Sequence, residues 1–347
     1  MTHIERIQGE RSLWDFYDAV VAACPVPPTP SRLDEWRRQA EKLRALIFEM
    51  MGVIPRTAAP VVTKTLGVTE FGDYRIERLV YYSRPDFPVT ANLYLPSDLK
   101  APAPGIICPH GHSEYGKAFA NYQSLYIGLA KLGFVVLAPD GIGKGERRAL
   151  GHGEGRIGAG SPWLIGSSLM GMEIWDNIKG VDVLVNRPEV DAHRIGCAGY
   201  SGGGAQTIWT AALDPRITVA VAGGAATSFA YHHSKERDFC LCNVNAGLLP
   251  HTEMHHVLGL IAPRPFAFVE GREDHMIPWD LQRETIRRAR RFYRLYGQPE
   301  AMAYFVVPEG HVLSRAKREA YYRFFVRHLK QDDDVEEIAE GRVPSSV

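Results

Sequence analysis

Ser201 lies in a segment whose spacing of serine and glycine is typical of an activated nucleophile. Residues 199–203 read Gly-Tyr-Ser-Gly-Gly, after the apolar run 195–198 and before a helix-like segment. This context predicts a sharp turn from a strand into a helix, which exposes the hydroxyl and aims free helix N–H groups at developing negative charge. Side chains two positions either side of the serine would collide there, which explains Gly199 and Gly203. The segment alone is equally compatible with a glycine-rich turn that has no chemistry.

A histidine that could activate Ser201 follows it in the chain. A serine hydroxyl is a weak nucleophile until a base removes its proton. The apolar strand Tyr304–Val307 leads into a short loop that holds His311, before the last predicted helix. A lone loop histidine is usually a surface residue, but the carboxyl ends of parallel strands meet at one edge of a sheet. We therefore predict that His311 is the catalytic base.

The acid that orients such a histidine is expected in the loop after the strand Phe266–Glu270. Asp274 is preferred because a glycine turn and a proline frame it in this loop. Glu270 and Glu273 are the alternatives, and the simpler interpretation of either is a solvated loop acid. The order of serine, acid and histidine along the chain predicts a Ser-His-Asp triad.

The oxyanion formed by attack on a carbonyl needs two N–H donors. We expect the first to be the backbone N–H of Gly202, directly after the nucleophile. The second is expected from the loop 109–113, which reads Pro-His-Gly-His-Ser after the predicted strand Gly105–Cys108. We assign it to the backbone N–H of His112, with Gly111 as the alternative.

The elements that must position these residues alternate between strands and helices from residue 105 onward. Strands are predicted at Gly105–Cys108, Phe134–Ala138, Arg194–Gly199, Val219–Val221, Phe266–Glu270 and Tyr304–Val307. Helices are predicted at Tyr122–Leu132, Leu169–Val185, Gly203–Leu213, Leu281–Tyr296 and Ser314–Leu329. The runs 74–82 and 89–95 alternate like antiparallel edge strands. This pattern indicates an α/β fold with a mostly parallel central sheet and helices on both faces.

The chain is predicted to contain one catalytic domain, residues 61–330. Residues 1–60 are expected to form an N-terminal helical extension, because apolar residues recur there every three or four positions. Residues 225–260 are irregular and are interpreted as a cap-like insertion into the catalytic domain. The acidic and polar tail, residues 331–347, is expected to fray.

Composition excludes several classes of partner. Lys and Arg total 40, as do Asp and Glu, so the charge balance favours neither nucleic acid nor an anionic membrane. No apolar run reaches transmembrane length, and the N-terminus lacks the apolar segment of a secretion signal. Five irregularly spaced cysteines argue against a disulfide framework. We expect a cytoplasmic protein that acts on a small molecule and has neither nucleic-acid nor membrane partners. These features are compatible with a homo-oligomer.

One group of histidines and one pair of cysteines contain residue types that could bind a metal. His251 and His255 lie one helical turn apart and His256 follows, a spacing that can bind a metal. No third ligand is apparent, and a polar wall near the mouth of the site is the preferred interpretation. Cys240 and Cys242 are too close for an ordinary disulfide or a zinc knuckle and are interpreted as structural. The sequence therefore predicts neither a metal nor a cofactor.

Taken together, these motifs resemble the α/β-hydrolase superfamily, and within it the branch of acetyl xylan esterases and dienelactone-hydrolase-like enzymes. The resemblance covers about residues 61–329 and rests on segments 110–112 (His-Gly-His), 140–146 (Asp-Gly-Ile-Gly-Lys-Gly-Glu), 190–196, 199–203 and 261–265, with Asp274 and His311. It implies the α/β-hydrolase fold and cofactor-free acyl transfer by Ser201. Dienelactone hydrolases proper use a cysteine nucleophile, so the serine here favours a carboxylesterase.

The predicted function is hydrolysis of short-chain carboxylic esters, with acetylated carbohydrates first by resemblance. A serine peptidase of the prolyl-oligopeptidase type uses the same turn and residue order. A propeller domain normally precedes the hydrolase in such peptidases, and residues 1–60 are too few for one. The third alternative is a non-catalytic binding protein with this fold, against which the intact set of triad residues argues.

Overall fold

Nine strands form a single sheet in the computed structural model, which describes residues 15–52, 60–152, 162–232, 240–243, 245 and 247–332. The strands are β1 (Thr63–Glu70), β2 (Tyr74–Arg84), β3 (Phe87–Pro96), β4 (Ala103–Ile107), β5 (Val135–Pro139), β6 (Val190–Tyr200), β7 (Ile217–Gly223), β8 (Phe266–Gly271) and β9 (Met302–Val307). Their order across the sheet is β1-β2-β3-β5-β4-β6-β7-β8-β9. The first three strands and the β3–β5 pair are antiparallel, and all other neighbours are parallel.

Helices connect the parallel strands and precede the sheet. They are α1 (15–23), α2 (Leu33–Met50), α3 (Ala120–Lys131), α4 (162–164), α5 (Leu169–Val185), α6 (Gly202–Leu213), α7 (Phe229–His232), α8 (Met254–Gly259), α9 (Trp279–Leu295) and α10 (Arg315–Phe325). Short 3-10 turns cover Gly116–Ala118, Gly145–Leu150, Leu241–Asn243 and Pro299–Ala301, and Val326–Lys330 continue α10 as a π-helix. None of the described helices is both long enough and apolar enough to cross a bilayer.

The central strands bury both of their faces, which is why they are continuous apolar runs in the sequence. Because side chains alternate across a strand, neighbouring residues enter two different cores. The two members of each of the following pairs lie in opposite cores: Ile106 and Ile107, Val136 and Leu137, Cys197 and Ala198, Ala220 and Val221. Helices α2, α5, α6, α8 and α9 supply one core, and α3 and α10 supply the other. The prediction of a mostly parallel α/β sheet with helices on both faces is confirmed.

The N-terminal helix α2 packs into the larger core. Trp36, Ala40 and Ile47 are its buried residues, and the Trp36 ring lies 4.2 Å from that of Phe292 in α9, measured between ring centroids. Arg44 donates hydrogen bonds to the carbonyl oxygen of Ala212 near the end of α6 and to that of Leu260 directly after α8. This helix therefore packs against the helices on one face of the sheet, although its sequence is outside the resemblance.

Parts of the predicted domain division lie outside the described residues. These are residues 1–14 and 53–59 of the extension, 153–161 of the catalytic domain, 233–239, 244 and 246 of the insertion, and 333–347 of the tail. The described part of the insertion holds α7, the 3-10 turn at Leu241–Asn243 and α8. The boundaries 1–60, 61–330 and 331–347 stay predictions.

Candidate active site

Ser201 occupies the turn between the end of β6 and the start of α6. Its backbone has φ 59° and ψ −125°, a conformation that side-chain-bearing residues rarely adopt. The Ser201 N–H donates to the carbonyl oxygen of Gly223 on β7 at 2.8 Å, which fixes the turn against the sheet. A Cβ atom at Gly199 would lie 2.2 Å from the carbonyl oxygen of Gly203, and one at Gly203 would lie 2.3 Å from that of Pro109. Only glycine fits at these two positions.

The structure brings Ser201, His311 and Asp274 into one hydrogen-bonded chain. The Nε2 atom of His311 lies 2.8 Å from the Ser201 hydroxyl oxygen, and its Nδ1 lies 2.6 Å from Oδ2 of Asp274. Asp274 follows β8 and His311 follows β9, so both loops extend from the carboxyl edge of the sheet where β6 ends. In this arrangement the imidazole can accept the serine proton while the carboxylate stabilises the resulting charge.

The carboxylate of Asp274 is buried and ionised. Burial raises its pKa, but hydrogen bonds from His311 and from the N–H groups of Ile277 and Met276 outweigh burial and hold the pKa below its ordinary value. Those two backbone donors both reach Oδ1 at 2.9 Å, which leaves Oδ2 for the imidazole. The loop thus supplies a fixed anion behind the candidate base.

The two alternative acids have other contacts. Glu270 is fully buried and accepts a hydrogen bond from the N–H of Gly224 at 2.9 Å. Glu273 is exposed, and its backbone N–H pairs with the carbonyl oxygen of Glu309. Asp274 is the acid whose carboxylate contacts His311.

The loop that follows β4 lies directly against the serine. A Cβ at Gly111 would be 2.6 Å from the carbonyl oxygen of Tyr200 and 3.0 Å from Cβ of Ser201, so glycine permits this approach. The ring of His112 covers Gly202, since a Cβ at Gly202 would lie 2.9 Å from its Cε1 and Nδ1. Gly111 thus lies against Ser201 and the ring of His112 lies against Gly202, and the assignment of the two oxyanion donors stays a proposal.

The buried side chain of His110 fixes this loop through two hydrogen bonds. Burial lowers its pKa to about 4, so the ring is neutral at pH 7. Its Nε2 accepts from the N–H of Gly141 at 2.9 Å, which leaves the proton on Nδ1 to donate to the Gly111 carbonyl oxygen at 2.8 Å. The tie connects the loop after β4 to the loop after β5.

Lys317 is a residue of the site that sequence analysis missed. It lies on α10 and is fully buried, and its ammonium group donates to the hydroxyl of Tyr200 at 2.9 Å. The sequence around it reads Arg-Ala-Lys-Arg, which is typical of a solvated helix face. No signal in that run distinguishes the buried lysine from its neighbours.

Four possible metal ligands converge beside the oxyanion loop. His112, His152, Cys240 and Cys242 each offer one ligand atom, and these four atoms lie within 4.8 Å of one another. Among the described residues this is the group of three or more such side chains that could hold a metal ion. The spacing of Cys240 and Cys242 predicts a structural role for the two cysteines, and nothing in the sequence around His152 marks it as a ligand.

The histidines of the predicted insertion have a different environment. His255 and His256 are buried on α8 against Phe292 of α9, with ring centroids 6.4 and 5.5 Å from it. Burial lowers the pKa of His255 to about 3 and that of His256 to about 4, so both rings are neutral. They belong to the packing of α8 on α9. His251 is exposed.

Comparisons with known proteins agree with this architecture. The family profile described as "Acetyl xylan esterase (AXE1)" matches residues 69–225. The chain is 29% identical over 304 residues to "Putative hydrolase YtaP" of Bacillus subtilis (strain 168). This alignment covers 82% of this chain and 98% of that protein. The solved structure "Methylesterase BT1017" superposes with a TM-score of 0.70 at 21% identity, covering 91% of this chain and 68% of that one.

A second solved structure, "Glucuronoyl Esterase from Solibacter usitatus", superposes with a TM-score of 0.63 at 17% identity and covers 88% of this chain and 98% of that one. At this identity the two solved structures establish only the fold. The family profile, by contrast, relates the sequence of residues 69–225 to that of acetyl xylan esterases. The predicted resemblance to the acetyl xylan esterase branch of the α/β-hydrolase superfamily is confirmed, and with it the enzyme class of carboxylic ester hydrolase.

Proposed function

We propose that this chain is a serine esterase that hydrolyses short-chain carboxylic esters, acetylated carbohydrates among them, through an acyl-enzyme. The observation that carries the proposal is the hydrogen-bonded chain from the Ser201 hydroxyl through His311 to Asp274, with distances of 2.8 and 2.6 Å. The positive φ of Ser201 supports it, because backbone strain of this kind is maintained where a nucleophile must be exposed.

In the first half of the reaction, Ser201 attacks the ester carbonyl while His311 Nε2 takes its proton. The N–H groups of Gly202 and His112 receive the negative charge that develops on the carbonyl oxygen. The tetrahedral intermediate collapses when His311 returns the proton to the leaving alcohol, so that an acyl group remains on the serine.

In the second half, a water molecule enters in place of the alcohol. His311 takes a proton from this water as the water attacks the acyl-enzyme, and the same oxyanion donors act again. Collapse releases the carboxylic acid and restores the proton to Ser201. Throughout, the buried carboxylate of Asp274 keeps Nδ1 of His311 protonated and stabilises the imidazolium form.

The choice of substrate rests on the comparisons. The matching family profile is named for acetyl xylan esterase, and the two solved structures are named as a methylesterase and a glucuronoyl esterase. These names share a carboxylic ester and differ in its acyl group and alcohol. Acetyl esters of carbohydrates therefore come first in the proposal. The cytoplasmic location and the homo-oligomer stay predictions.

The proposal is tested by hydrolysis of p-nitrophenyl acetate, butyrate and octanoate and by acetate release from acetylated xylan. Wild-type protein should hydrolyse the short esters, and Ser201→Ala should lower kcat by about 10⁴-fold or more. Ser124→Ala is the matched control, because that hydroxyl is exposed on α3 and donates only to the carbonyl oxygen of Ala120. A fluorophosphonate should label Ser201 in the wild type and leave Ser201→Ala unmodified.

The outcomes separate the mechanism from the substrate. Labelling of Ser201 without hydrolysis of any ester would retain the triad and overturn the proposed substrate class, and prolyl peptide substrates would then be tested. A wild type that neither hydrolyses esters nor reacts with the phosphonate would overturn the esterase and favour a binding protein.

A further inference from the structure

We propose that His112, His152, Cys240 and Cys242 bind one divalent metal ion, and that zinc is the ion they fit best. Two imidazole nitrogens and two thiolate sulfurs form the donor set that Zn²⁺ prefers in four-coordinate sites. Two thiolates and two neutral imidazoles also balance the charge of the ion. The proposal goes beyond the esterase, because neither the triad nor the fold requires a metal.

The distances within the cluster match the edges of a tetrahedron around zinc. The Nε2 atoms of His112 and His152 lie 3.2 Å apart, and Sγ of Cys242 lies 3.3 Å from Nε2 of His112. Zn–N and Zn–S bonds of about 2.1 and 2.3 Å give tetrahedral edges of roughly 3.4 Å between two nitrogens and roughly 3.6 Å between nitrogen and sulfur. All four atoms are within 4.8 Å. A hydrogen bond joins only two of these atoms, whereas one bound metal ion would contact all four.

His152 is oriented as a metal ligand should be. Its Nδ1 lies 2.6 Å from the carbonyl oxygen of Ile142, which can only accept, so the proton is on Nδ1. The Nε2 lone pair then faces the other three ligands. A backbone carbonyl that fixes the ring and its tautomer through the second nitrogen is the usual support of a histidine ligand. Oε1 of the buried Glu173 lies 3.8 Å from the same Nδ1, as a neighbouring carboxyl group rather than a hydrogen-bond partner.

The ligands come from three separate segments of the chain. His112 lies on the loop after β4, His152 follows the 3-10 turn Gly145–Leu150, and the two cysteines lie on or beside the turn Leu241–Asn243. Cys242 is buried with Ile142 and Leu169 in a small core of its own. With four protein ligands the ion has no open position for substrate, and this is the arrangement of a structural rather than a catalytic zinc.

The position of His112 gives the ion a role in the esterase. Its side chain would bind the metal while its backbone N–H serves as the second oxyanion donor, and its ring already covers Gly202. The ion would therefore anchor the oxyanion loop to two distant segments and hold the donor in place. This role rests on the proposed function, whereas metal binding itself does not.

The test measures metal in untagged protein purified under reducing conditions. Elemental analysis should find about one zinc per chain, and the Cys240→Ser/Cys242→Ser variant and His152→Ala should each hold less than about a tenth of that. Cys24→Ser is the matched control, because this thiol is half-buried and outside the cluster, and it should retain the zinc. After chelation, Co²⁺ should give the absorption of tetrahedral coordination with thiolate charge transfer, and the cysteine variant should lack the charge-transfer band.

A second readout connects the ion to the oxyanion loop. Zinc removal from the wild type should lower kcat for p-nitrophenyl acetate by about 10-fold or more with little change in KM, since loss of one oxyanion donor acts on the transition state. Zinc addition should restore it in wild type and not in His152→Ala. Ser201→Ala should bind zinc normally, which separates the metal site from the proposed catalysis.

Three results would overturn the proposal. One is reduced wild type that takes up neither Zn²⁺ nor Co²⁺. Another is a folded cysteine variant that keeps its zinc. The third is an intact mass showing that Cys240 and Cys242 form a disulfide in the purified protein and that reduction leads to no metal uptake. If the purified protein contains zinc and its removal by a chelator leaves kcat unchanged, the metal site is retained. That result would overturn only the role of the ion in holding the oxyanion loop.

Discussion

The ammonium group of Lys317 donates a hydrogen bond of 2.7 Å to the carbonyl oxygen of Gly310, the residue directly before His311. The same group donates to the hydroxyl of Tyr200, the residue directly before Ser201. One buried cation on α10 therefore holds the backbone beside the candidate base and the side chain beside the candidate nucleophile. We infer that it fixes the distance between these two residues.

We expect Lys317→Met to lower both activity and stability. Methionine fills much of the same volume but leaves the half-buried Gly310 carbonyl oxygen without its charged donor, which should cost about 2 kcal/mol of unfolding free energy. A shift of His311 by a fraction of an ångström should lower kcat by about 10- to 100-fold. Denaturant titration and ester hydrolysis measure the two effects.

Lys131→Met is the matched control for this change. Lys131 forms an ion pair with Asp73 at the surface, where such pairs contribute about 1 kcal/mol or less. The Lys131→Met substitution should leave kcat unchanged and lower the unfolding free energy by about 1 kcal/mol or less. Equal effects of the two substitutions would show that Lys317 has no special function in the site.

Asp274→Asn should retain the fold and lower kcat by about 10⁴-fold. The amide keeps the size of the carboxylate but can present its NH₂ group to Nδ1 of His311, which favours the tautomer that cannot accept the serine proton. Glu273→Gln is the natural control, because Glu273 precedes Asp274 and is exposed. If the two variants lost activity equally, the assignment of the acid would be wrong.

The sheet and the candidate triad could be predicted because their signals are local. Each central strand is a continuous apolar run, and the turn at Ser201 needs glycine at two fixed positions for steric reasons. The acid and the base each follow a strand directly, so parallel pairing carries them to the same edge. The distances between these residues could be obtained only from the structure, and their catalytic roles stay a proposal.

The features that could not be predicted depend on contacts between distant segments. His152 is 40 residues from His112 and has no motif around it. Lys317 is buried because two oxygen atoms from other elements accept its hydrogen bonds, and its own sequence gives no sign of them.

Trp36→Ala should destabilise the protein without altering the chemistry of the site. Trp36 is 1% exposed and packs against Phe292 of α9, and removal of a buried tryptophan leaves a cavity that costs about 3–5 kcal/mol. Phe16→Ala is the control, because Phe16 on α1 is 61% exposed and should change stability by about 0.5 kcal/mol or less. Activity per folded molecule should be normal in both. Normal stability of Trp36→Ala would mean that α2 packs independently of the hydrolase core.

Glu270→Gln should remove a pH dependence of stability between about pH 5 and 8. Burial raises the pKa of Glu270 to about 8, and the nearby charge of Asp274 adds to this, while Lys317 and the N–H of Gly224 oppose it. In this range the folded protein holds a proton that the unfolded chain, with an ordinary carboxyl pKa, releases. The contribution of Glu270 to the free energy of unfolding is therefore fully present below the pKa of the unfolded chain, and it is lost as the pH rises through about 8.

The slope contributed by Glu270 should be on the order of 1 kcal/mol per pH unit, and it should flatten above its folded pKa. Glutamine imitates the protonated acid and still accepts from Gly224, so the variant should match the wild type near pH 5 and exceed its stability at pH 8 and above. Glu300→Gln, an exposed acid before β9, should follow the wild-type curve. Denaturant titrations from pH 5 to 9 measure this, and parallel curves for wild type and Glu270→Gln would mean that Glu270 is ionised in the folded protein at pH 7.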